Sequence, residues 1–165
     1  MSDLSILRIV EDTIVDGPGL RTSIYAAGCP RRCPGCHNPE SWLIENGAPR
    51  DLDYIMQRLC DAALSNVTFS GGDPLLQVEG FAALARRVRQ ETTKTIWCYT
   101  GYLYEEVLAS PRLSSILPFI DVLVDGPYIE TLRAAALPFT GSSNQRRIDV
   151  AATMKSGRVI TLPNS

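Results

Sequence analysis

The sequence predicts an α/β protein in which strands alternate with helices around a parallel sheet. Three observations carry this. Runs rich in β-branched and aromatic residues recur at positions 21–27 (RTSIYAA), 66–70 (NVTFS), 94–99 (KTIWCY) and 121–126 (DVLVDG), the composition that suits a pleated, half-buried surface. Helical patterns fall between most of them. Most of the runs lead into a turn rich in Gly or Pro. Strand–helix–strand order favours parallel pairing through right-handed crossovers.

After an N-terminal segment, the first of these strands leads directly into GCPRRCPGCHNPESW, positions 28–42. From 51 to 64 the apolar residues Leu52, Ile55, Met56, Leu59 and Ala63 recur at helical spacing, with Asp51 placed to cap the start. A second strand, the turn GGDP and a helix over 78–90 follow, and Arg86, Arg87 and Arg89 give that helix a solvated outer face. The third strand, the turn TGY and a short helix over 103–109 repeat the unit. The run 121–126 is almost continuously apolar, as expected of a strand covered on both faces. A helix over 129–136, a polar loop GSSNQ read as a solvated turn, and a last strand near 158–162 complete the prediction. Cys60, on the apolar side of the first helix, and Cys98, within a strand, are expected to be buried thiols. Folds of this kind place ligands outside the carboxyl ends of their strands, where the cysteine loop, SGGDP, TGY and DGPY all fall.

At 165 residues the chain reads as one domain large enough to bury a core. Its 45% hydrophobic and 21% charged residues, with a net charge of -2, exclude disordered and collagen-like classes. Sixteen basic residues against 18 acidic ones argue against a partner recognised through its phosphates, so no nucleic acid is expected. The start, MSDLSILRIVEDTIVDG, has acids where a secretory signal needs basic residues, and no apolar run has membrane-spanning length. The expectation is a cytoplasmic protein, away from membranes, whose clustered cysteines serve a metal or redox chemistry.

Three of the five cysteines, Cys29, Cys33 and Cys36, lie in the loop after the first strand. Structural zinc with His37 as fourth ligand requires two adjacent residues to turn onto one ion, closer than zinc spacings allow. A C-x-x-C-H haem attachment at 33–37 leaves Cys29 unused and belongs to exported proteins. A thioredoxin-like dithiol needs a helix after its first cysteine, which Pro34 and Gly35 oppose. A 4Fe–4S cluster uses all three thiolates and leaves one iron open to a substrate or cofactor. S-adenosylmethionine, with an α-amino and an α-carboxylate group, can chelate such an iron and accept an electron from it.

C-x3-C-x2-C after a first strand, with a GG-acid-P turn after the second, resembles the radical S-adenosylmethionine superfamily. DGPGLR at 16–21, the cysteine loop, SGGDPL at 70–75, IWCYTGY at 96–102, DVLVDG and GSSNQR at 141–146 together resemble the activating proteins of glycyl-radical enzymes, above all those serving the anaerobic ribonucleoside-triphosphate reductase. These motifs span nearly the whole chain. The resemblance implies a single radical S-adenosylmethionine domain over 1–165, built as a partial, open parallel β/α barrel, since the chain is too short for a complete one. It implies an enzyme that cleaves S-adenosylmethionine reductively to a 5′-deoxyadenosyl radical and takes a hydrogen atom from a glycine of a partner enzyme, with flavodoxin or a similar reductant supplying the electron.

By the same resemblance Cys29, Cys33 and Cys36 ligate the cluster, Gly35, Cys36 and His37 lie along S-adenosylmethionine, and Ser70, Gly71, Gly72 and Asp73 receive its amino group. Tyr99, Thr100 and Gly101 are candidates to line the cofactor. Asp125 either faces its carboxylate through a cation or caps a turn. Asp16 and Arg21 are candidates to dock the target peptide. Thr140 stands where the family pattern suggests an arginine. Two alternatives stay open: a small radical S-adenosylmethionine enzyme acting on a peptide or metabolite, and a non-catalytic iron–sulfur or zinc carrier.

Overall fold

The computed structural model describes residues 3–31, 33–36, 39–134 and 137–163. Its strands are β1 (Leu4–Thr13), β2 (Arg21–Ala26), β3 (Ala48–Arg50), β4 (Asn66–Gly71), β5 (Ile96–Tyr99), β6 (Val122–Asp125) and β7 (Arg146–Asp149). Its α-helices are α1 (Leu52–Asp61), α2 (Val78–Glu91), α3 (Tyr104–Ala109) and α4 (Val150–Ser156). The strands form one seven-stranded open sheet in the order β3-β1-β2-β4-β5-β6-β7. The centre, β2-β4-β5-β6, is parallel as predicted. Both flanks are antiparallel, so the sheet is mixed: β1 pairs with β2 and β3, and β7 with β6.

The helical pattern read from the sequence places α1 correctly. Asp51 caps it by accepting from Tyr54 N at 2.7 Å, and Leu52, Ile55, Met56 and Leu59 are buried. The helix ends at Asp61, so Ala63 lies beyond it and is exposed. Cys60 is also exposed, against expectation; it falls at the last turn, off the buried stripe. Cys98 is buried as expected, and burial pushes its thiol well above the ordinary range. On α2, Arg86 is exposed, but Arg87 pairs with Asp53 and Glu91, and Arg89 with Asp121. That face is therefore partly an ion-pair network.

All four helices press on one face of the sheet, where Ile24, Phe69, Cys98, Leu123 and Ile148 meet Leu59, Phe81, Leu84, Val107 and Val150 in a single core. The alternation of strand side chains sends Ser23, Tyr25, Thr68, Ser70 and Tyr99 to the opposite face. That second face carries a small apolar cluster of Trp97, Val122 and Val124 under Phe139 and Leu162. β6 is thus buried on both faces, as its apolar run predicted.

Two predicted elements are replaced. Over 129–136 the described residues form a 3₁₀ turn, Glu130–Leu132, and an isolated bridge from Arg133 to Ser142; none of them is buried, so no packed apolar face holds a helix here. Over 158–162 there is one isolated bridge, Ile148 to Thr161. The last strand is instead β7, and α4 follows it, capped by Asp149, which accepts from Ala152 N at 3.0 Å. No helix among the described residues is long and apolar enough to cross a membrane.

Candidate functional site

The loops leaving β2, β4, β5 and β6 converge at the carboxyl end of the parallel strands, around a cavity of about 460 Å³. Cys29, Cys33 and Cys36 line it from the first loop, Ser70 to Asp73 from the second, Tyr99 to Gly101 from the third, and Gly126 and Tyr128 from the fourth. Four loops that the sequence put at the strand ends therefore meet at one cavity. His37, expected along the cofactor, lies outside the described residues.

Local chemistry explains the shape of the cysteine loop. Cys36 N donates to Cys33 O at 3.1 Å across Pro34 and Gly35, and Gly35 has a φ of 76°. Pro followed by a left-handed Gly is the requirement of a type II turn. This turn, and not a helix, brings the second and third thiols together, which removes the thioredoxin-like arrangement. The three thiols are half-buried. Among the described residues no three Cys, His, Asp or Glu side chains gather as they would around one metal ion; a cluster that gives each thiolate its own iron spreads its ligands further apart.

The two glycines of the SGGDP turn are needed for contact with that loop. Gly71, at a φ of 101°, and Gly72 lie against the backbone of Ala26 and Gly28, where any Cβ would collide. Gly72 N donates to Ala26 O and Asp73 N to Gly28 O, both at 2.8 Å. The turn after β4 is therefore fastened to the root of the cysteine loop, with Ser70 half-buried on the cavity wall.

Asp73 is fully buried, and its carboxylate is occupied internally. It accepts from Thr100 Oγ1 at 3.0 and 3.1 Å, Gly101 N at 2.9 Å and Leu75 N at 3.0 Å. Burial raises its pKa, opposed by these donors and by the charge of Arg31. Its side chain, with Thr100, braces the β4 turn against the β5 turn, and the turn's carbonyls remain the groups suited to an ammonium.

Residues 15–148 match the family model described as "4Fe-4S single cluster domain". The chain is similar to proteins named "Anaerobic ribonucleoside-triphosphate reductase-activating protein". That of Salmonella typhimurium is 38% identical over 140 residues, 80% of this chain and 90% of the relative. The Escherichia coli protein is 37% identical over the same shares. The Haemophilus influenzae protein is 35% identical over 150 residues, 86% of this chain and 96% of the relative. The chain belongs to this family of reductase-activating proteins.

For a family member, a 4Fe–4S cluster is the metal group to test against the site. The residues fit: three thiols line one cavity, and its remaining walls supply room and polar backbone beside the position that three ligands leave open.

Other candidates change role. Arg21 is 2% exposed and donates to Thr68 Oγ1 and Val67 O at 2.8 Å, Pro18 O at 3.2 Å, and Thr95 O and Oγ1 at 3.3 Å. Its guanidinium, 5.6 Å from the centre of the Trp97 ring, is pulled down to about 10 by burial. It is an internal strut at the start of β2, with its donors taken up, and is not placed to dock a peptide. Asp125, 0% exposed, accepts from Tyr104 N at 2.7 Å and pairs with Arg146 Nη2 at 2.5 Å. The register that sets Asp125 opposite Arg146 produces this pair. Of its two readings the turn cap describes the contacts, and Asp125 is absent from the described cavity lining. Asp16 does line the cavity, where Ser23 Oγ donates to it at 2.7 Å, as does Tyr25 OH.

Sequence reasoning missed several wall residues. Tyr25 follows from strand alternation, since it shares a face with Ser23. Burial first, then the bond to Asp16, pushes its hydroxyl up to about 12. Arg8, over the Tyr25 ring at 4.5 Å and 3.7 Å from Glu40, enters from β1, an element not predicted at all. Nor is GSSNQ merely solvated. Gly141 and Gln145 line the cavity, and Gln145 accepts from Gly141 N at 2.8 Å while donating to Gly126 O at 3.1 Å. Thr140, in place of the expected arginine, has a buried hydroxyl without a hydrogen-bond partner.

Proposed function

We propose that this chain is an activase: it uses a 4Fe–4S cluster and S-adenosylmethionine to remove a hydrogen atom from a specific glycine of a partner, an anaerobic ribonucleoside-triphosphate reductase. The observation that carries the reading is the meeting of Cys29, Cys33 and Cys36 with the Ser70 to Asp73 turn on one cavity, in a chain whose relatives are named as activators of that reductase. When bound, the cluster and S-adenosylmethionine supply a one-electron cleavage to methionine and a 5′-deoxyadenosyl radical.

The chain's own residues supply positions. Cys29, Cys33 and Cys36 would each hold one iron of the cluster. Gly35 and Cys36 would line the cofactor, as the resemblance implies for His37 also, and the carbonyls of the Ser70 to Asp73 turn would accept from its ammonium. Asp73 and Thr100 keep that turn in place. Asp16, at the cavity wall, accepts from the target's backbone amides. Hydrogen transfer needs the reacting atoms held at roughly 3 to 3.5 Å, which binding of a preformed glycine loop in a shielded cavity provides.

The finer reading of the fold is a single radical S-adenosylmethionine domain, an open β/α barrel whose helix-free face admits the partner's loop. The sheet order, the one-sided helices and the four carboxyl-end loops support it. The electron comes from flavodoxin or a similar reductant in an anaerobic cytoplasm.

The test is anaerobic reconstitution with iron and sulfide, followed by dithionite and S-adenosylmethionine. Methionine and 5′-deoxyadenosine should form, and Cys29→Ala, Cys33→Ala and Cys36→Ala should each lose cluster and products. Product formation that persists in all three variants overturns the reading.

A further inference from the structure

Arg31 lies between the first two thiols of the cysteine loop in sequence, and its side chain rests on the turn after β5. Its stem lies flat on Gly101, where a Cβ would collide with Cδ. The guanidinium stacks 4.5 Å from the centre of the Tyr102 ring, and Nη2 is 3.8 Å from Glu106 Oε1. Glu106 is itself fixed, since its Oε1 accepts from Leu103 N at 2.8 Å at the start of α3. The neighbouring Gly101 N donates to Asp73 at 2.9 Å. One side chain therefore connects the cysteine loop, the β5 turn, α3 and, through Gly101, the β4 turn.

Two features separate this from an incidental surface contact. Arg31 Nε is buried without a hydrogen-bond partner, a cost that must be offset by stacking and charge. Gly101 has an ordinary backbone φ and needs no special conformation; what its missing Cβ provides is the seat for Arg31.

We propose that Arg31 is a positioning residue that clamps the cysteine loop onto the Gly101–Tyr102 turn, holding Cys29 and Cys33 in register with the rest of the cavity. The clamp rests on reading these cysteines as cluster ligands, but its geometry belongs to the polypeptide and can be measured without the cluster.

The test uses the full chain with Arg31→Ala, Arg31→Lys, Gly101→Ala and the double variant Arg31→Ala/Gly101→Ala. Amide hydrogen exchange at Gly35 and Cys36 is followed in the metal-free chain, and iron bound per chain is measured after anaerobic reconstitution. Arg31→Ala should speed exchange about tenfold, the loss expected for a stacked, ion-paired contact, and should lower iron content. The global unfolding midpoint should hold. Arg31→Lys, which keeps the charge near Tyr102 and Glu106, should recover most of both. Gly101→Ala should reproduce the defect by unseating Arg31, and the double variant should be no worse than Arg31→Ala, the non-additivity of a shared contact. Unchanged exchange in Arg31→Ala, or a full extra effect of Gly101→Ala on top of it, overturns the clamp. A wild-type chain that binds no iron contradicts the activase reading instead, while the exchange pattern still decides the clamp.

Discussion

Thr100 Oγ1 donates to both carboxylate oxygens of Asp73, at 3.0 and 3.1 Å, and so ties the turn after β5 to the turn after β4. Thr100→Val should destabilise the chain by about 1 to 3 kcal/mol, the cost of removing a donor from a buried carboxylate, and should weaken S-adenosylmethionine binding by loosening the turn. Chemical denaturation and equilibrium binding measure the two effects.

The pH dependence at Asp73 has a definite sign. Burial raises its pKa above the ordinary 3.8, so the fold prefers the protonated acid to a greater degree than the unfolded chain does. Its contribution is present in full below the unfolded pKa and is lost as pH rises through the raised folded value. The stability difference between wild type and Asp73→Asn should therefore shift against wild type as pH climbs from 3.8, and denaturation series across the acid range will show it.

Arg146 neutralises a carboxylate that has no access to water. Arg146→Met should cost about 3 to 5 kcal/mol, the penalty for stranding a buried charge. Adding Asp125→Asn should recover part of that loss. Denaturation of the two single variants and the double measures the coupling.

Arg21→Ala should act on folding and not on partner docking. Its donors satisfy carbonyls and hydroxyls inside the sheet face, so about 3 kcal/mol of stability is at stake. Reductase affinity, measured on the folded fraction at low temperature, should stay close to wild type.

Tyr25 should titrate near pH 12 in the folded chain. A raised tyrosine pKa contributes stability that is intact below the unfolded value of 10.0 and lost as pH rises through about 12. Tyrosinate absorbance should therefore contain a late-titrating group that Tyr25→Phe removes.

The parallel centre of the fold was legible because its strands alternate with helices and carry strong apolar runs, with residues such as Leu123 and Val124 buried on opposite faces. The flanks were not. β7 reads RRID, and only its pairing with β6 explains why charged residues form a strand; β1 alternates weakly and ends in acids. That the three cysteines and the Ser70 to Asp73 turn would meet at the carboxyl ends of the strands was legible from their place in the chain. What spacing could not show is which polar side chains are consumed internally. Arg21 and Asp125 look reactive in a sequence, yet each finds its partners inside the fold. Arg8 and Gln145 had the opposite fate, being drawn into the wall by parts of the chain whose role pattern alone did not show, whereas Tyr25 sits on a strand that the pattern did place.

The central claim is that this cavity delivers a hydrogen-abstracting species to a glycine of the reductase. The most direct measurement is electron paramagnetic resonance of the anaerobic ribonucleoside-triphosphate reductase after incubation with the reconstituted chain, S-adenosylmethionine and a reductant. A glycyl radical signal that appears with wild type and is absent with Cys29→Ala, Cys33→Ala or Cys36→Ala is the predicted result. S-adenosylmethionine cleavage with no radical on the reductase would contradict the account.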